Sequence, residues 1–349
     1  MPSHTRRPAL AGATPPVSIA AVAARAGVST ATVSRVINGV ANKASASTIE
    51  RVRAAIEALG YRPMGAGRSL RRRQSRLVAV LAANLLNPSM AAIAAVAEVA
   101  LRRAGYVMVL CDTHDLPALQ DEYLLDMRAQ YAYGLVLLGA VRSPQLESFV
   151  AAGERIVFVN RRNPFGGRCH VGIDNRAAGA EVAAWLARCG HRDIALIHGR
   201  LSTSATAERI AGFRDELRRR NIGLPAGHSA TNRDADHLAI GYRGMDRLLA
   251  APRPPRAVFC TSDLIAYGAQ RRAAEAGLHP ERDIAFVGFD DSPLNPWIAP
   301  WLSAVRVPYA AYGEAIVHSL SGASADIVLR HELVVRAGGG CEIPPAGAG

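Results

Sequence analysis

Apolar runs and amphipathic segments alternate along residues 77–290, and this alternation constrains the fold more than any other feature of the chain. Runs such as LVAVLAA (77–83) and DIAFVGF (283–289) lack the regular polar positions of a half-exposed strand. Strands of this kind are buried on both faces, as they are in parallel sheets covered by helices. Two series of strands and helices, over 77–162 and 168–290, therefore predict two doubly wound α/β subdomains.

Polar side chains stand where several predicted strands end. Asn160 and Arg161 end one strand, and Asp174 follows another. Asp290 ends a third. Ligands of doubly wound sheets bind beyond the carboxyl ends of the strands, so these residues are candidates for a cleft between the subdomains. A surface ion pair or a helix cap is the alternative for each of them.

A helical segment precedes the sheets. Residues Val17 to Asn38, VSIAAVAARAGVSTATVSRVIN, carry apolar side chains at helical spacing in two short stretches. Ser18 and Ser29 are candidate N-caps, and Gly27 suits the turn between the helices. This pattern predicts a helix-turn-helix, whose second helix lies in the major groove of DNA. An ordinary hairpin of two helices is the alternative that this stretch leaves open.

A third helix is predicted from Ser45 or Ser47 to Leu59, because its apolar residues recur every three or four positions. Gly60 suits the end of a helix, and Pro63 cannot continue one. The three helices would form a small head domain. Changes in composition along the chain predict the boundaries of the other parts. The expected parts are a disordered leader 1–16, the head 17–61, an arginine-rich hinge linker 62–76, a body 77–336 and a flexible tail 337–349.

The positive charge of the chain is concentrated in its first fifth. The chain carries a net charge of +12, and residues 1–76 hold thirteen Arg or Lys against two acids, a net charge of +11. A solvated basic tail would explain the charge alone, but this segment is also patterned as helices. A folded basic head on a neutral body predicts a polyanionic partner, because neutralised phosphates supply most of the affinity for DNA.

Several functional classes lack their sequence signatures. The strand LVAVLAA is followed by NLLNPS, which has no glycine-rich turn for a pyrophosphate. The chain has no GxSxG, HExxH or P-loop motif. We therefore expect a protein that is not an enzyme and that binds neither a metal ion nor a cofactor. No apolar run has the length of a membrane span, and the N-terminus lacks the apolar core of a signal peptide. The five scattered cysteines are expected to be reduced thiols in a cytoplasm.

The order of these parts and several motifs resemble the LacI/GalR (lactose/galactose repressor) family of bacterial transcription regulators. The first match is VSIAAVAARAGVSTATVSRVING at 17–39. Others are ALGYRP (58–63), GRSLR (67–71), NP (87–88), VGIDNRAAGAEVAAWLARCGHRDIALIHG (171–199), ERIAGF (208–213), SDLIAYGAQRRAAEAGL (262–278), DIAFVGFDD (283–291), LSAVRVP (302–308) and ELVVR (332–336). The resemblance covers roughly residues 17–336, and so many motifs in one order are specific.

The resemblance implies a homodimer whose heads bind a pseudo-palindromic operator, and a small effector that alters DNA affinity from the cleft. By resemblance, Thr30, Ala31 and Arg35 read the bases, and Arg35 suits a bidentate contact to guanine. A phosphate contact alone is the alternative for Arg35. The residues expected to bind phosphates are Ser18, Ser29, Thr32, Ser34 and Asn38.

In this family the linker forms a hinge helix on DNA and inserts a leucine into the minor groove. The matching residue is Leu70, flanked by Arg68 and Arg71. Gly65 and Gly67 disfavour a helix by up to about 1 kcal/mol each. The arginines are expected to compensate electrostatically.

The resemblance also implies the ligand contacts of the cleft. Arg209 matches the family arginine that holds ligand hydroxyls or carboxylates, and Asp290 matches the ligand-binding aspartate. Ser262 replaces the family's usual asparagine. The full set expected to bind the effector is Asn160, Arg161, Asp174, Arg209, Ser262 and Asp290. Few aromatic and amide groups argue against a purine, and the pair Arg161–Arg162 admits a sugar acid as well as a sugar.

We therefore expect a body of the periplasmic-binding-protein type, with one subdomain over 77–162 plus 293–322 and the other over 163–292 plus 323–336. The expected function is that of a cytoplasmic repressor that responds to a sugar or sugar acid, binds DNA as a homodimer and has no membrane partner. A DNA-binding regulator with a vestigial cleft is the alternative, and a nucleotide-binding enzyme is a more distant one.

Overall fold

The computed structural model describes residues 17–37, 44–61, 75–167, 169–231, 236–280, 282–323 and 325–336. The chain divides into two compact units, and the division falls between Ser75 and Arg76. The first unit is the head, and the second is the body.

The described residues of the head form three helices, α1 (Ile19–Ala26), α2 (Thr30–Ile37) and α3 (Ala46–Ala58). The Ser18 hydroxyl accepts a hydrogen bond from the Ala21 amide at 3.2 Å and so caps α1. Ser29 accepts one from the Thr32 amide at 3.2 Å at the start of α2. Gly27 lies between the helices with φ 64°, a left-handed conformation that glycine adopts without strain. The predicted caps and turn are confirmed.

The core of the head consists of small side chains from all three helices. Its buried members in the described head are Val22, Ala23, Ala26, Val33, Val52 and Ala55. Val33 is the buried residue of α2 and has no exposed surface. Because Val33 fixes the rotation of α2 about its axis, the residues on the other side of this helix face outward.

The first sheet of the body gathers strands from both ends of the body sequence. Its described strands are β1 (Leu77–Ala82), β2 (Val107–Asp112), β3 (Gly134–Leu138), β4 (Ile156–Val159), β5 (His170–Ile173) and β11 (Ile327–Leu329). Their order is β11-β5-β4-β3-β1-β2, and all pairs are parallel. The helices of this subdomain are α4 (Pro88–Arg103), α5 (Pro117–Ala129), α6 (Pro144–Ala151) and α12 (Tyr309–Leu320).

The second sheet has the same plan. Its described strands are β6 (Ile194–Ile197), β7 (Ser229–Ala230), β8 (Ala257–Cys260), β9 (Ala285–Asp290), β10 (Ser303–Arg306) and β12 (Glu332–Val334). The order is β12-β10-β9-β8-β6-β7, with β12 antiparallel to β10 and the other pairs parallel. Its helices are α7 (Asn175–Arg188), α8 (Ser204–Arg219), α9 (His237–Leu249), α10 (Asp263–Glu275) and α11 (Asn295–Ile298).

Every residue of β3, β4, β6 and β8 is buried, which explains their continuous apolar runs. The prediction of a helix-turn-helix head and two doubly wound, parallel-sheet subdomains is confirmed.

The predicted boundaries between the subdomains are wrong in three places. β5 and β11 were expected in the second subdomain, but they pair with each other in the first sheet, where β5 also pairs with β4. β10 was expected in the first subdomain, but it pairs with β9 in the second sheet. The chain passes between the subdomains after β5, after β10 and between β11 and β12. Periodicity identifies a strand but not its partner, since hydrogen bonds to another strand decide the pairing.

Helices α7 and α8 pack unusually closely because of two glycines. A Cβ added at Gly179 would lie 2.9 Å from the carbonyl carbon of Arg209 and closer to its oxygen. One added at Gly212 would lie 2.8 Å from the carbonyl carbon of Arg176. These contacts place the backbone of Arg209 directly against α7.

One cysteine departs from the expected chemistry. Cys189 caps the C-terminal end of α7 and is disulfide-bonded, so the expectation of reduced thiols is wrong for this residue. Cys111 and Cys260 are buried free thiols. Cys341 lies outside the described residues. The spacing of cysteines in a sequence does not show which of them pair.

Candidate functional site

The outward face of α2 is the candidate nucleic-acid interface of the head. Thr30, Ala31 and Arg35 are all exposed on this helix, with Ala31 and Arg35 one turn apart. Residues 17–37 contain no acidic side chain that would repel a phosphate. The face therefore offers a guanidinium, a methyl and a hydroxyl group to a ligand without a competing carboxylate.

Two of the hydroxyls expected to bind phosphates also cap helices. Ser18 and Ser29 each accept a hydrogen bond from a backbone amide, so their oxygens are used as acceptors. The hydroxyls of Ser29 and Thr32 lie 3.0 Å apart, and one donates to the other. A hydroxyl that accepts a hydrogen bond from a backbone N–H uses only a lone pair of its oxygen. Its own O–H can therefore still donate a hydrogen bond to a phosphate. Capping and phosphate binding are therefore compatible at Ser18.

Four residues predicted to contact DNA lie outside the described residues. They are Asn38, Arg68, Leu70 and Arg71. Ser34 is described and half-buried on α2.

The body contains a cleft of about 530 Å³ between its two subdomains. Its walls are formed where strands of both sheets end, as the rule for doubly wound folds requires. The lining residues include Asn84, Ser89, Met90, His114, Asp115, Asn160 and Arg161 from the first subdomain, and Arg200, Thr203, Thr206, Arg209, Asp236, His237, Thr261, Ser262 and Asp290 from the second. Of the six residues predicted to bind an effector, Asn160, Arg161, Arg209, Ser262 and Asp290 line this cleft.

Arg209 is held rigidly on α8 at the base of the cleft. Its Nε donates to Asn175 Oδ1 at 2.8 Å, and its Nη1 donates to the Thr261 carbonyl oxygen at 2.7 Å. The guanidinium carbon lies 3.5 Å from the ring centre of Phe289. Burial lowers the pKa of Arg209, an effect that the neighbouring Asp290 opposes. Fixed in this way, the guanidinium presents a preorganised cation to the cleft.

Asp290 is the partner of Arg209. Its Oδ1 lies 3.7 Å from Arg209 Nη2. Burial raises the pKa of Asp290 to about 6, while Arg209 lowers it. Its φ of 102° is strained for an L-residue, and Tyr309 Oη donates to its carbonyl oxygen at 2.9 Å. Strain of this kind commonly marks a functional position, and here it directs the carboxylate toward the cleft.

A second arginine–aspartate pair was not predicted. Arg161 Nη1 donates to Asp115 Oδ1 at 2.5 Å and to the Gly139 carbonyl oxygen at 3.1 Å. Across the cleft, Arg200 Nη1 lies 4.0 Å from Asp115 Oδ2. Asp115 and its neighbour His114 both have left-handed backbones, with φ of 58° and 49°. The polar residues DTHD (112–115) at the end of β2 are the signal in the sequence that points to Asp115.

Ser262 and His237 form a polar contact on the wall of the second subdomain. Ser262 begins α10 and accepts from the Ile265 amide at 3.4 Å, while its hydroxyl lies 2.9 Å from His237 Nδ1. Burial and the nearby Arg161 and Arg209 lower the pKa of His237. The imidazole is therefore neutral at pH 7 and offers one donor and one acceptor.

Two expectations about the cleft are corrected. Asp174 is exposed, accepts from the Ala177 amide at 2.9 Å as the N-cap of α7, and does not line the cleft. Arg162 also lies outside the cleft lining. It donates to Glu208 Oε1 at 2.9 Å and to Asp326 Oδ2 at 3.2 Å. Asp174 is used as the cap of α7 and Arg162 is held by its two acidic partners, so neither side chain lines the cleft.

The chemistry of the lining is polar and aliphatic. Among its described residues there is no Phe, Tyr or Trp, so the imidazoles of His114 and His237 are the aromatic rings that a planar base would meet there. The described residues also contain no group of three or more His, Cys, Asp or Glu arranged to hold a metal ion. No helix within the described ranges is long and apolar enough to cross a membrane.

Comparison with known proteins identifies the family. The family described as "Bacterial regulatory proteins, lacI family" matches residues 18–64, and a "Periplasmic binding protein-like domain" matches residues 183–335. The HTH-type transcriptional regulator PtxS of Pseudomonas putida is 30% identical, over 96% of this chain and 97% of its own length. The chain belongs to the LacI family. It is therefore a DNA-binding transcriptional regulator rather than an enzyme.

Two solved structures of transcriptional regulators show the same architecture. The Lac repressor dimer bound to operator and the anti-inducer ONPF has a TM-score of 0.78 and 25% identity, covering 92% of this chain and 98% of its own. The complex of the transcriptional regulator CelR with cellobiose has a TM-score of 0.68 and 28% identity, covering 93% of this chain and 100% of its own.

Proposed function

We propose that this LacI-family regulator is a cytoplasmic repressor, and that a sugar or sugar acid bound in the cleft controls its affinity for an operator. The observation that carries the proposal is the convergence of two arginine–aspartate pairs, Arg209–Asp290 and Arg161–Asp115, in one cleft at the strand ends. Such pairs offer donors and acceptors side by side, as vicinal hydroxyls require.

The head binds DNA through α2 in this proposal. Thr30, Ala31 and Arg35 contact base edges in the major groove, because they share the exposed face of the helix. The phosphate contacts are assigned to Ser18, Ser29, Thr32, Ser34 and Asn38. The hinge residues Arg68, Leu70 and Arg71 are assigned to the minor groove. Deleting residues 1–76 should abolish DNA binding while leaving a folded body.

Two heads on a homodimer would read two half-sites of a pseudo-palindromic operator. The Lac repressor supports this arrangement, since it is a dimer on its operator. CelR supports a carbohydrate effector, since its complex contains cellobiose. The hydroxyl-rich lining of Ser89, Thr203 and Thr206 is suited to the same class of ligand.

The test begins with selection of binding sites from a random DNA pool by the full-length protein. We expect an inverted repeat, and a single unrepeated site would contradict the dimer. Fluorescence anisotropy on the selected site would then be repeated with sugars and sugar acids. At least one of them should change the Kd for DNA. If none changes it and none raises the melting temperature, the cleft is vestigial and the regulator acts without an effector.

A further inference from the structure

Asp115 places a carboxylate beside two arginines of the cleft. Its carboxylate contacts Arg161 of its own subdomain at 2.5 Å and faces Arg200 of the opposite subdomain at 4.0 Å. The Asp115 and Arg161 side chains are only 20% and 13% exposed. A carboxylate between two guanidinium groups is the arrangement by which proteins bind anionic ligands.

The backbone is arranged to keep Asp115 in this place. The Asp112 carboxylate accepts from the amides of His114 and Leu85, each at 3.0 Å, which fixes the loop after β2. His114 and Asp115 then both adopt left-handed conformations. Two consecutive L-residues in this region are strained, and in this conformation the loop places Asp115 against Arg161.

The remaining charges of the cleft are also balanced. Among its described lining residues, three arginines (Arg161, Arg200, Arg209) face three aspartates (Asp115, Asp236, Asp290). Arg209, the deepest cation, lies against Asp290. Arg162 does not add positive charge to the cleft, because it lies outside the lining and forms ion pairs with Glu208 and Asp326.

We propose that Asp115 is a built-in counter-anion that determines effector specificity by excluding acids and restricting the cleft to uncharged polyhydroxylated ligands. The inference rests on the proposed function, since it concerns the ligand of the same cleft. A ligand carboxylate at this position would lie beside Asp115, and two neighbouring carboxylates repel each other. A sugar hydroxyl can instead donate to Asp115 and accept from Arg161 or Arg200.

The test uses matched pairs of probes on the full-length protein. Each pair is an aldose and its aldonate: glucose with gluconate, galactose with galactonate, ribose with ribonate, and xylose with xylonate. Thermal melting and calorimetric titration should show stabilisation by at least one aldose and none by the aldonates. An aldonate that stabilises the natural protein more than its aldose would overturn the inference and leave the proposed effector function intact.

Asp115→Asn should convert the arginine pair into a site for a ligand carboxylate. Asn tolerates the left-handed backbone, so the loop should keep its conformation. Removing one charge a few Å from a bound carboxylate should strengthen aldonate binding by about tenfold or more. The matched control is Asp236→Asn, which removes one lining charge but preserves the N-cap of α9, because Asn caps as well as Asp.

The two variants give distinguishable outcomes. Aldonate binding gained by Asp115→Asn but not by Asp236→Asn supports the inference. Equal gains would show that general cleft charge, rather than the position of Asp115, controls selectivity, and would overturn it. If no sugar or acid stabilises the natural protein or alters its DNA binding, and Asp115→Asn gains none, the proposed effector function fails together with the inference.

Discussion

Gly179→Ala tests whether the close contact between α7 and α8 positions the effector site. The added Cβ would lie 2.9 Å from the Arg209 carbonyl carbon, whereas ordinary contacts are about 3.5–4.0 Å. The Arg209 carbonyl oxygen would be closer still, so the helices must separate by about 1 Å or more. The obstacle is backbone, so no side chain can rotate to relieve it. Overpacking costs about 1–3 kcal/mol, against a helix-propensity gain of up to about 1 kcal/mol, so the variant should be less stable by ~1–2 kcal/mol.

Urea unfolding followed by tryptophan fluorescence is the appropriate assay. Trp185, Trp297 and Trp301 all lie in the body, so the signal is independent of the head. The control is Gly223→Ala, where an added Cβ meets nothing within 4 Å, and it should change the free energy of unfolding by less than about 0.5 kcal/mol. Effector binding should weaken in Gly179→Ala because Arg209 moves with α8. Equal stability of the two variants would refute the reasoning.

Three further predictions concern the head and the cleft. Arg35→Ala should weaken operator binding by about 1–3 kcal/mol and affect random DNA much less in anisotropy measurements; equal losses would mean that Arg35 contacts only phosphate. Ser29→Ala should destabilise the head by ~1 kcal/mol, measured by hydrogen exchange, because it removes the cap of α2. Ser29→Asp should retain the cap and lose DNA affinity. A head as stable in Ser29→Ala as in the natural protein would contradict the capping role. Because burial raises the pKa of Asp290 to about 6, from about 3.9 when unfolded, the folded state binds the extra proton, so the contribution of Asp290 to the free energy of unfolding should fall by up to ~3 kcal/mol between about pH 4 and pH 6. Burial also raises the pKa of Asp263, which adds a fall of the same sign. In denaturation measured across that range, Asp290→Asn should reduce the slope by the Asp290 contribution, and an unchanged slope would assign all of it to other groups.

Local patterns in the sequence determined much of this protein. The caps at Ser18 and Ser29, the turn at Gly27 and the buried strands were predictable, because each depends on neighbours within about four residues along the chain. Of the four candidates that the strand-end rule supplied, Asn160, Arg161 and Asp290 line one cleft, and the family resemblance added Arg209 and Ser262 to it. The family was recognisable from motifs in order.

Tertiary structure alone decided which of these elements meet. β5 and β10 exchanged their expected subdomains because partner strands, rather than periodicity, fix their pairing. Asp115 and Arg161 are 46 residues apart in the chain, yet they share one charge-assisted hydrogen bond. Asp174 follows its strand directly, as Asn160 does in the cleft, but it caps α7 instead. The sequence shows which charges and hydrogen-bonding groups each side chain carries. Only the folded backbone determines which partner lies close enough to contact it.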